Sequence, residues 1–110
     1  MAHIEFKEDD GKDFKKVLEE TKDKPTFVDF NATWCGPCRA LKPKLEKICK
    51  DNDFNFISVD VDANPDLSEQ YEVQGIPFVV LFVKGEKVFD FTGAKDEKLN
   101  EAIAKAKEGK

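Results

Sequence analysis

The sequence predicts an α/β fold: a central mixed β-sheet with helices on both of its faces. Apolar runs typical of strands alternate with segments of helical spacing in the order β-α-β-α-β-α-β-β-α, which requires a sheet covered by helices. The last two strand-like runs are joined by a hairpin signal, so antiparallel pairing is added to parallel pairing. No repeat or linker divides the chain, and residues 1–110 are expected to form a single domain.

The first third of the chain is predicted to hold an edge strand, a helix and a buried strand. Residues 2–6 alternate between polar and apolar side chains, which indicates a short edge strand. Residues 26–32, TFVDFNA, form a dense apolar run that suits a strand covered on both sides. Between them, the stretch DGKD at 10–13 is typical of a helix start, and the apolar residues after it share one helical face: Phe14, Val17 and Leu18.

The middle of the chain predicts two helices with a strand between them. Residues 54–61 are strand-like, and Asn64 and Pro65 then indicate a helix start, with the Asn64 side chain as the cap and Pro65 in the first turn. Leu67 and Tyr71 share a face of that helix. The preceding helix starts near Cys35 and places four apolar residues on one face: Leu41, Leu45, Ile48 and Cys49.

A hairpin and a helix are predicted to close the chain. Residues 77–84 and 87–92 are strand-like runs, and the hairpin turn is expected at Gly85 and Glu86, which separate them. The final helix carries apolar residues at matching spacing: Leu99, Ala102, Ile103 and Ala106.

Charge and composition exclude several classes of protein. The chain has 18 basic and 23 acidic residues and a net charge of −5, which argues against nucleic acid as a partner, because phosphate binding needs clustered Lys and Arg. No secretory signal is visible, and the longest apolar stretch, residues 76–83, is too short to cross a bilayer. Three cysteines do not make a disulfide-rich scaffold. We therefore expect a cytoplasmic protein without membrane or nucleic-acid partners.

The stretch ATWCGPCR at 32–39 carries the strongest chemical signal. Cys35 and Cys38 lie where a strand gives way to a helix, and the unpaired N–H groups of a helix N-terminus lower the pKa of a thiol. Gly36 permits a tight turn, and Pro37 is tolerated in a first helical turn. Cys35 comes first and is expected to be the more exposed nucleophile. Cys38, one turn inward, is expected to resolve the mixed disulfide that Cys35 forms.

A zinc site is the alternative for any CxxC sequence. Structural zinc needs four ligands, usually from two such pairs. The only further candidates are Cys49 and His3, which do not form a second pair. Cys49 lies on an apolar helix face and is expected to be a small buried hydrophobe. We therefore expect no metal.

The segments VDFNATWCGPC, GIP and TGA together resemble the thioredoxin family, and ATWCGPC resembles its eukaryotic cytosolic members. The resemblance covers essentially the whole chain. It implies the thioredoxin fold and a protein-disulfide reductase whose electrons are carried by a redox-active Cys35–Cys38 disulfide, without a cofactor. It also implies protein disulfides as substrates, recharging by an NADPH-dependent thioredoxin reductase, and a monomer.

The same resemblance assigns a substrate groove. Trp34 would flank Cys35 and shape the substrate surface. Pro77 would be a cis-proline facing the thiols, and Ile76 would offer backbone hydrogen bonds to an extended peptide. Gly93 and Ala94 would line the same groove.

Asp29 is the candidate proton acceptor, and the resemblance places it behind the cysteines. It lies inside an apolar run, where an unpaired carboxylate is costly and burial raises its pKa. Cys38 must lose its proton before it attacks. Asp29, acting through water, is therefore expected to be the base.

Three positions depart from the family pattern. Asn31 stands where relatives often carry an aromatic or a small residue. Ser58 occupies a site where bacterial members commonly have a lysine near the buried aspartate, so the resemblance does not fix the pKa of Asp29. Phe78 follows Pro77 where threonine is usual, which bears on partner choice more than on the chemistry.

Other thiol proteins and a non-enzymatic role are the rival interpretations. A glutaredoxin does not usually carry Gly-Pro between its cysteines, and a disulfide isomerase domain normally carries Gly-His. A redox-inactive, thioredoxin-like binding module would use the same groove, and the sequence leaves that alternative open.

Overall fold

A computed structural model describes residues 1–109 as a five-stranded sheet flanked by four helices. The predicted order of strands and helices is confirmed, and one short 3-10 turn at Glu8–Asp10 was not predicted. The predicted domain extends to Lys110, which lies outside the described residues. The strands are β1 (His3–Phe6), β2 (Thr26–Asn31), β3 (Asn55–Asp60), β4 (Phe78–Val83) and β5 (Glu86–Thr92), and the helices are α1 (Phe14–Glu20), α2 (Gly36–Asn52), α3 (Pro65–Gln70) and α4 (Asp96–Glu108).

The sheet is mixed, as predicted, and β2 lies at its centre. The strand order is β1-β3-β2-β4-β5, so β1 is an edge strand, as its alternating sequence predicted. β2 pairs in parallel with β3 and antiparallel with β4. All six residues of β2 are buried, which confirms the prediction of a strand covered on both faces.

Alternate residues of β2 enter two separate cores. Phe27 packs against the apolar faces of α2 and α4, whereas Val28 and Phe30 pack against α1 and α3. Because side chains alternate along a strand, Asp29 and Asn31 share the α2 side of the sheet with Phe27. Leu41 and Leu45 hold α2 on this side, and full burial of such a side chain stabilises the fold by roughly 1.5–3 kcal/mol.

Helix α2 has a defined start and end. Cys35 is its N-cap, and Asp53 ends it in the left-handed conformation with φ of 58°. Cys49 lies in the core of its apolar face, as predicted, and burial raises the pKa of this thiol to about 12. Within residues 1–109, no helix combines the length and the apolar character that crossing a membrane requires.

The prediction that the Asn64 side chain caps α3 is wrong. Within the described chain, Asn64 makes no side-chain cap bond to α3; its amide donates to the Phe6 and Asp60 carbonyls at 3.1 and 2.9 Å. Its side-chain oxygen instead accepts the Glu8 N–H at 2.8 Å and is thereby engaged outside the helix. The carboxylate of Glu8 takes over the capping role and accepts the Leu67 N–H at 3.3 Å.

The predicted position of the hairpin turn is also wrong, by one residue. Val83 pairs with Glu86, so the turn is Lys84–Gly85, with φ of 55° and 84°. Two consecutive positive φ values match the right-handed twist of the strands, and glycine tolerates the second position without strain. Further along β5, the register shifts and leaves Val88 as an extra residue at a bulge.

Candidate active site

Cys35 and Cys38 are joined by a disulfide at the N-terminus of α2, with their Cα atoms 5.3 Å apart. Cys35 has an extended backbone as the N-cap, and its Sγ accepts the N–H of Cys38 at 3.3 Å. Cys38 lies in the first helical turn. Both cysteines therefore occupy the helix terminus that the sequence predicted. The sulfur of Cys35 faces an N–H group that would also stabilise a thiolate.

The two sulfur-bearing residues differ little in exposure. Cys35 is 5% exposed and Cys38 is 2% exposed, so the predicted order holds but the difference is small. Both cluster with Ala32, and Ile76 packs against the three. Gly36 and Pro37, the residues between the cysteines, are exposed.

The residues assigned to the substrate groove are partly brought together. Trp34 is 68% exposed and lines, with Ile76, a cavity of about 200 Å³. The Ile76–Pro77 peptide is cis, as the resemblance implied, and Pro77 is buried. The Gly93 N–H donates to the Pro77 carbonyl at 2.7 Å, which joins the end of β5 to the proline. Ala94 follows Gly93 and is exposed.

Sequence reasoning missed the residue that holds Trp34. The indole Nε1 donates to the Asp62 carboxylate at 2.8 Å. Asp62 lies in the turn after β3, and its own N–H donates to the Asp60 carboxylate at 2.8 Å. No pattern links Trp34 to a residue 28 positions away, because the contact depends on how the sheet brings two loops together.

Asp29 is fully buried, as predicted, and it lies on the α2 side of β2. Desolvation raises the pKa of its carboxyl to about 6, and the hydrogen bond from Asn31 partly opposes this rise. Its Oδ2 accepts the Asn31 amide at 3.3 Å. Among the described residues, its Oδ1 has no hydrogen-bond partner. A carboxyl in this state can take up or release a proton near neutral pH.

The charges around Asp29 come from α2 and β1. Lys42 lowers the pKa of Asp29, whereas Glu5 and Glu46 raise it. Lys42 also forms an ion pair with Glu5 at 2.9 Å. Ser58 pairs with Asp29 across the sheet and carries no charge, so the cation near the carboxylate comes from the helix. The available sequence signal was spacing, since Lys42 lies four residues after Cys38 on the same helix.

A second cavity opens beside Cys38 and measures about 230 Å³. Asn31 lies on its wall, and the Asn31 amide donates to Ser58 Oγ at 2.9 Å. Asn31 therefore lies between the cavity and the pair formed by Asp29 and Ser58. The residues lining this cavity are Asn31, Ala32, Thr33, Cys38, Arg39 and Lys42.

The reactive group of the site is the cysteine pair itself. Across residues 1–109, no group of three or more His, Cys, Asp or Glu side chains is arranged to hold a metal ion. The His3 ring donates a hydrogen bond to the Glu5 carboxylate at 2.8 Å at the sheet edge, and Cys49 is enclosed in the core. Neither residue therefore joins Cys35 and Cys38 in a set of metal ligands.

Comparisons with known proteins agree with this geometry. The family model described as Thioredoxin matches residues 5–105. The thioredoxin of rabbit is 45% identical over 91 residues, which cover 82% of this chain and 87% of the rabbit protein. Human thioredoxin is 42% identical over 91 residues, with the same coverage of both chains. The solved structure of reduced thioredoxin pre-protein from Schistosoma mansoni superposes with a TM-score of 0.84 at 34% identity, covering 96% of this chain and 99% of the other.

Proposed function

The chain belongs to the thioredoxin family and is a thiol–disulfide oxidoreductase that acts on protein disulfides, and on that premise we propose a role for each residue of its site. Cys35 is the nucleophile, Cys38 resolves the mixed disulfide, and Asp29 accepts the proton that Cys38 loses. No further cofactor is needed, because the two sulfurs carry the electrons.

In the first step the Cys35 thiolate attacks one sulfur of a substrate disulfide. A bond forms between that sulfur and Cys35, and the other substrate sulfur leaves as a thiolate. In the second step Cys38 gives up its proton through water to Asp29 and attacks Cys35 Sγ. The Cys35–Cys38 disulfide forms, the second substrate sulfur leaves, and two electrons have passed to the substrate.

The observation that carries the proposal is the position of the Cys35 sulfur. It accepts a backbone N–H at the start of α2, so the thiolate form is stabilised where it is needed. The neighbouring Cys38 lies within bonding distance, which a resolving thiol requires. An exposed tryptophan beside this pair offers an apolar surface to a partner protein.

The groove next to the cysteines suits an extended segment of substrate. Ile76 packs against the cysteine cluster and shares a cavity with Trp34. Backbone groups at Ile76 would pair with the substrate main chain, as in strand addition. Pro77, Gly93 and Ala94 would border this segment on the side of β5, with the Pro77–Gly93 hydrogen bond holding the border in place.

Further proposals concern the setting in which the protein works. The oxidised chain would be recharged by an NADPH-dependent thioredoxin reductase that presents a dithiol to the same groove. It would act as a monomer and a single domain. A cytoplasmic location fits a disulfide that must be opened repeatedly, because that compartment keeps thiols reduced.

Reduction of insulin with dithiothreitol as the electron source tests the proposed function. We expect rapid precipitation of the released insulin chain with the wild-type protein and loss of that acceleration with Cys35→Ser. Cys49→Ser is the matched control, since the Cys49 thiol is enclosed in the core, and it should retain the activity. Equal rates for wild type and Cys35→Ser would instead support a redox-inactive binding module.

A further inference from the structure

We propose that Asn31 is a positioning residue for the second step of the exchange. From the wall of the cavity that reaches Cys38, its side chain holds Asp29 in the ionised, proton-accepting state. The inference rests on the proposed role of Asp29 as the proton acceptor. It assigns a function to a residue that departs from the family pattern and lies two positions after Asp29.

The Asn31 amide makes hydrogen bonds that connect Ser58 with Asp29. The Asn31 amide donates to Ser58 Oγ at 2.9 Å, and its contacts with Asp29 are 3.1 Å to the backbone carbonyl and 3.3 Å to Oδ2. An amide has two hydrogens, so one serves Ser58 and the other is shared between the two oxygens of Asp29. Ser58 therefore orients the amide so that it points at the carboxylate.

The two oxygens of Asp29 differ as a result. Oδ2 receives the amide hydrogen, whereas Oδ1 is buried and has no partner among the described residues. A donor at one oxygen favours the ionised carboxylate. The other oxygen carries no donor within residues 1–109 and is the one left to accept a proton.

The Asn31 side chain also borders a cavity that reaches Cys38. Asn31 and Cys38 line the same cavity of about 230 Å³, which is large enough to hold water. Asn31 is largely buried. Its amide donates a hydrogen bond to Asp29, and part of its side chain lines this cavity. The proton route from the Cys38 thiol to Asp29 would therefore pass beside the Asn31 side chain.

Other groups that face Asp29 set its titration together with Asn31. Helix α2 contributes Lys42 and Glu46, and β1 contributes Glu5. The paired residues on the neighbouring strands, Ser58 on β3 and Val79 on β4, do not titrate. Substitution of Asn31 leaves all these charges in place. A change in the pKa of Asp29 would therefore measure the effect of losing the Asn31 amide hydrogen bond.

The test uses the full chain and an aromatic disulfide, dithiobis-nitrobenzoate, in stopped flow. Release of the first coloured thiolate reports the attack by Cys35, and release of the second reports resolution by Cys38. For Asn31→Leu we expect an unchanged first phase. The second phase should slow about tenfold near pH 6, since a hydrogen bond to a charged group shifts its pKa by about one unit or more. The rates of the two proteins should converge well above neutral pH.

Controls separate this effect from general damage. Thr33→Val alters the same cavity without touching the amide, and its pH profile should match that of the wild type. In an Asp29→Asn background, Asn31→Leu should change the second phase no further. The carboxyl pKa of Asp29, measured by carbon NMR, should rise in Asn31→Leu and provides a readout independent of rate.

The outcomes distinguish this inference from the proposed function. An unchanged second phase in Asp29→Asn would overturn the proposed base role itself. If Asp29→Asn slows the second phase but Asn31→Leu moves neither its midpoint nor the carboxyl pKa, the base role stands and the role of Asn31 is overturned. A drop in rate at every pH with an unmoved midpoint would also overturn it, because it would indicate a merely structural contribution.

Discussion

The indole of Trp34 is held by the carboxylate of Asp62 through a hydrogen bond of 2.8 Å from Nε1. An exposed aromatic ring that would otherwise rotate is thereby given a preferred orientation beside Cys35. The bond joins the loop before α2 to the turn after β3, and these two segments follow the carboxyl ends of the neighbouring parallel strands β2 and β3.

Removal of this bond should weaken substrate binding more than chemistry. For Asp62→Ala we expect KM for a protein disulfide to rise two- to fivefold with kcat nearly constant, because a hydrogen bond at an exposed site is worth ~0.5–1 kcal/mol. Asp62→Asn keeps an acceptor for the indole and should stay close to the wild type. Steady-state insulin reduction measures both constants, and a fall in kcat with unchanged KM would contradict the prediction.

Substitution of Asp29 should stabilise the fold while it slows exchange. The pKa of Asp29 is about 6 in the folded chain, against an ordinary value of 3.8, so the folded state holds its proton more tightly. Stability is therefore lost as pH rises from about 4 to about 6 and is constant above. In Asp29→Ala this loss should disappear, which amounts to as much as ~3 kcal/mol at pH 7.

Urea denaturation of both proteins at pH 4 and pH 7 measures the difference. Asp29→Asn is the control for the cavity that alanine leaves, because asparagine removes the charge but nearly keeps the size of the side chain. A variant less stable than the wild type at pH 7 would show that Asp29 is not buried as an unpaired carboxylate.

Replacement of Lys42 should raise the pKa of Asp29. Lys42 stabilises the ionised carboxylate of Asp29, and its loss also removes the lysine partner of Glu5 nearby. In Lys42→Met we therefore expect the midpoint of the second phase to move to higher pH, with a slower rate at pH 6. Lys44→Met is the matched control, because Lys44 on the same helix pairs with Asp96 instead. Identical profiles for the two variants would contradict the argument.

Asn64 should prove important for stability although it lies far from the cysteines in sequence. Its buried side chain bonds to Glu8, Phe6 and Asp60, so Asn64→Ala leaves several backbone groups without partners. We expect a loss of at least ~3 kcal/mol in urea denaturation, since three backbone groups lose a partner and each buried unsatisfied group costs roughly 1–3 kcal/mol. Asn100→Ala, on the exposed face of α4, should change stability by less than ~0.5 kcal/mol.

Cys49 should resist alkylation in the native protein. Burial raises the pKa of its thiol to about 12, so almost no thiolate is present at pH 8. After reduction, iodoacetamide should label Cys35 rapidly and leave Cys49 unlabelled until denaturant is added. Mass spectrometry of the digested protein measures which cysteines are labelled. Rapid labelling of Cys49 in the native protein would mean that this part of the core opens readily.

Sequence periodicity predicted the fold well because its signals are local. The TFVDFNA run marked the central strand, and the apolar face of α2 followed from its spacing. The cysteine pair at the helix start was predictable for the same reason, since the strand-to-helix transition is visible in neighbouring residues.

Contacts between distant segments escaped prediction. Asn64 is a residue type typical of a helix N-cap. Because β1 packs beside β3, its side chain instead forms hydrogen bonds with Phe6 and Glu8. The hairpin turn moved by one residue because strand pairing, not composition alone, decides which two residues take positive φ. Asp62 had no local signal at all, since its partner lies in another loop.

The bulge at Val88 has a consequence for how copies of this chain meet. β5 is an outer strand, and the backbone groups along its free side could template a strand from another molecule. The extra residue interrupts the regular spacing of those groups, and an ion pair between Lys87 and Asp90 places charge on either side of it. Addition of a strand from another copy is thereby disfavoured along β5.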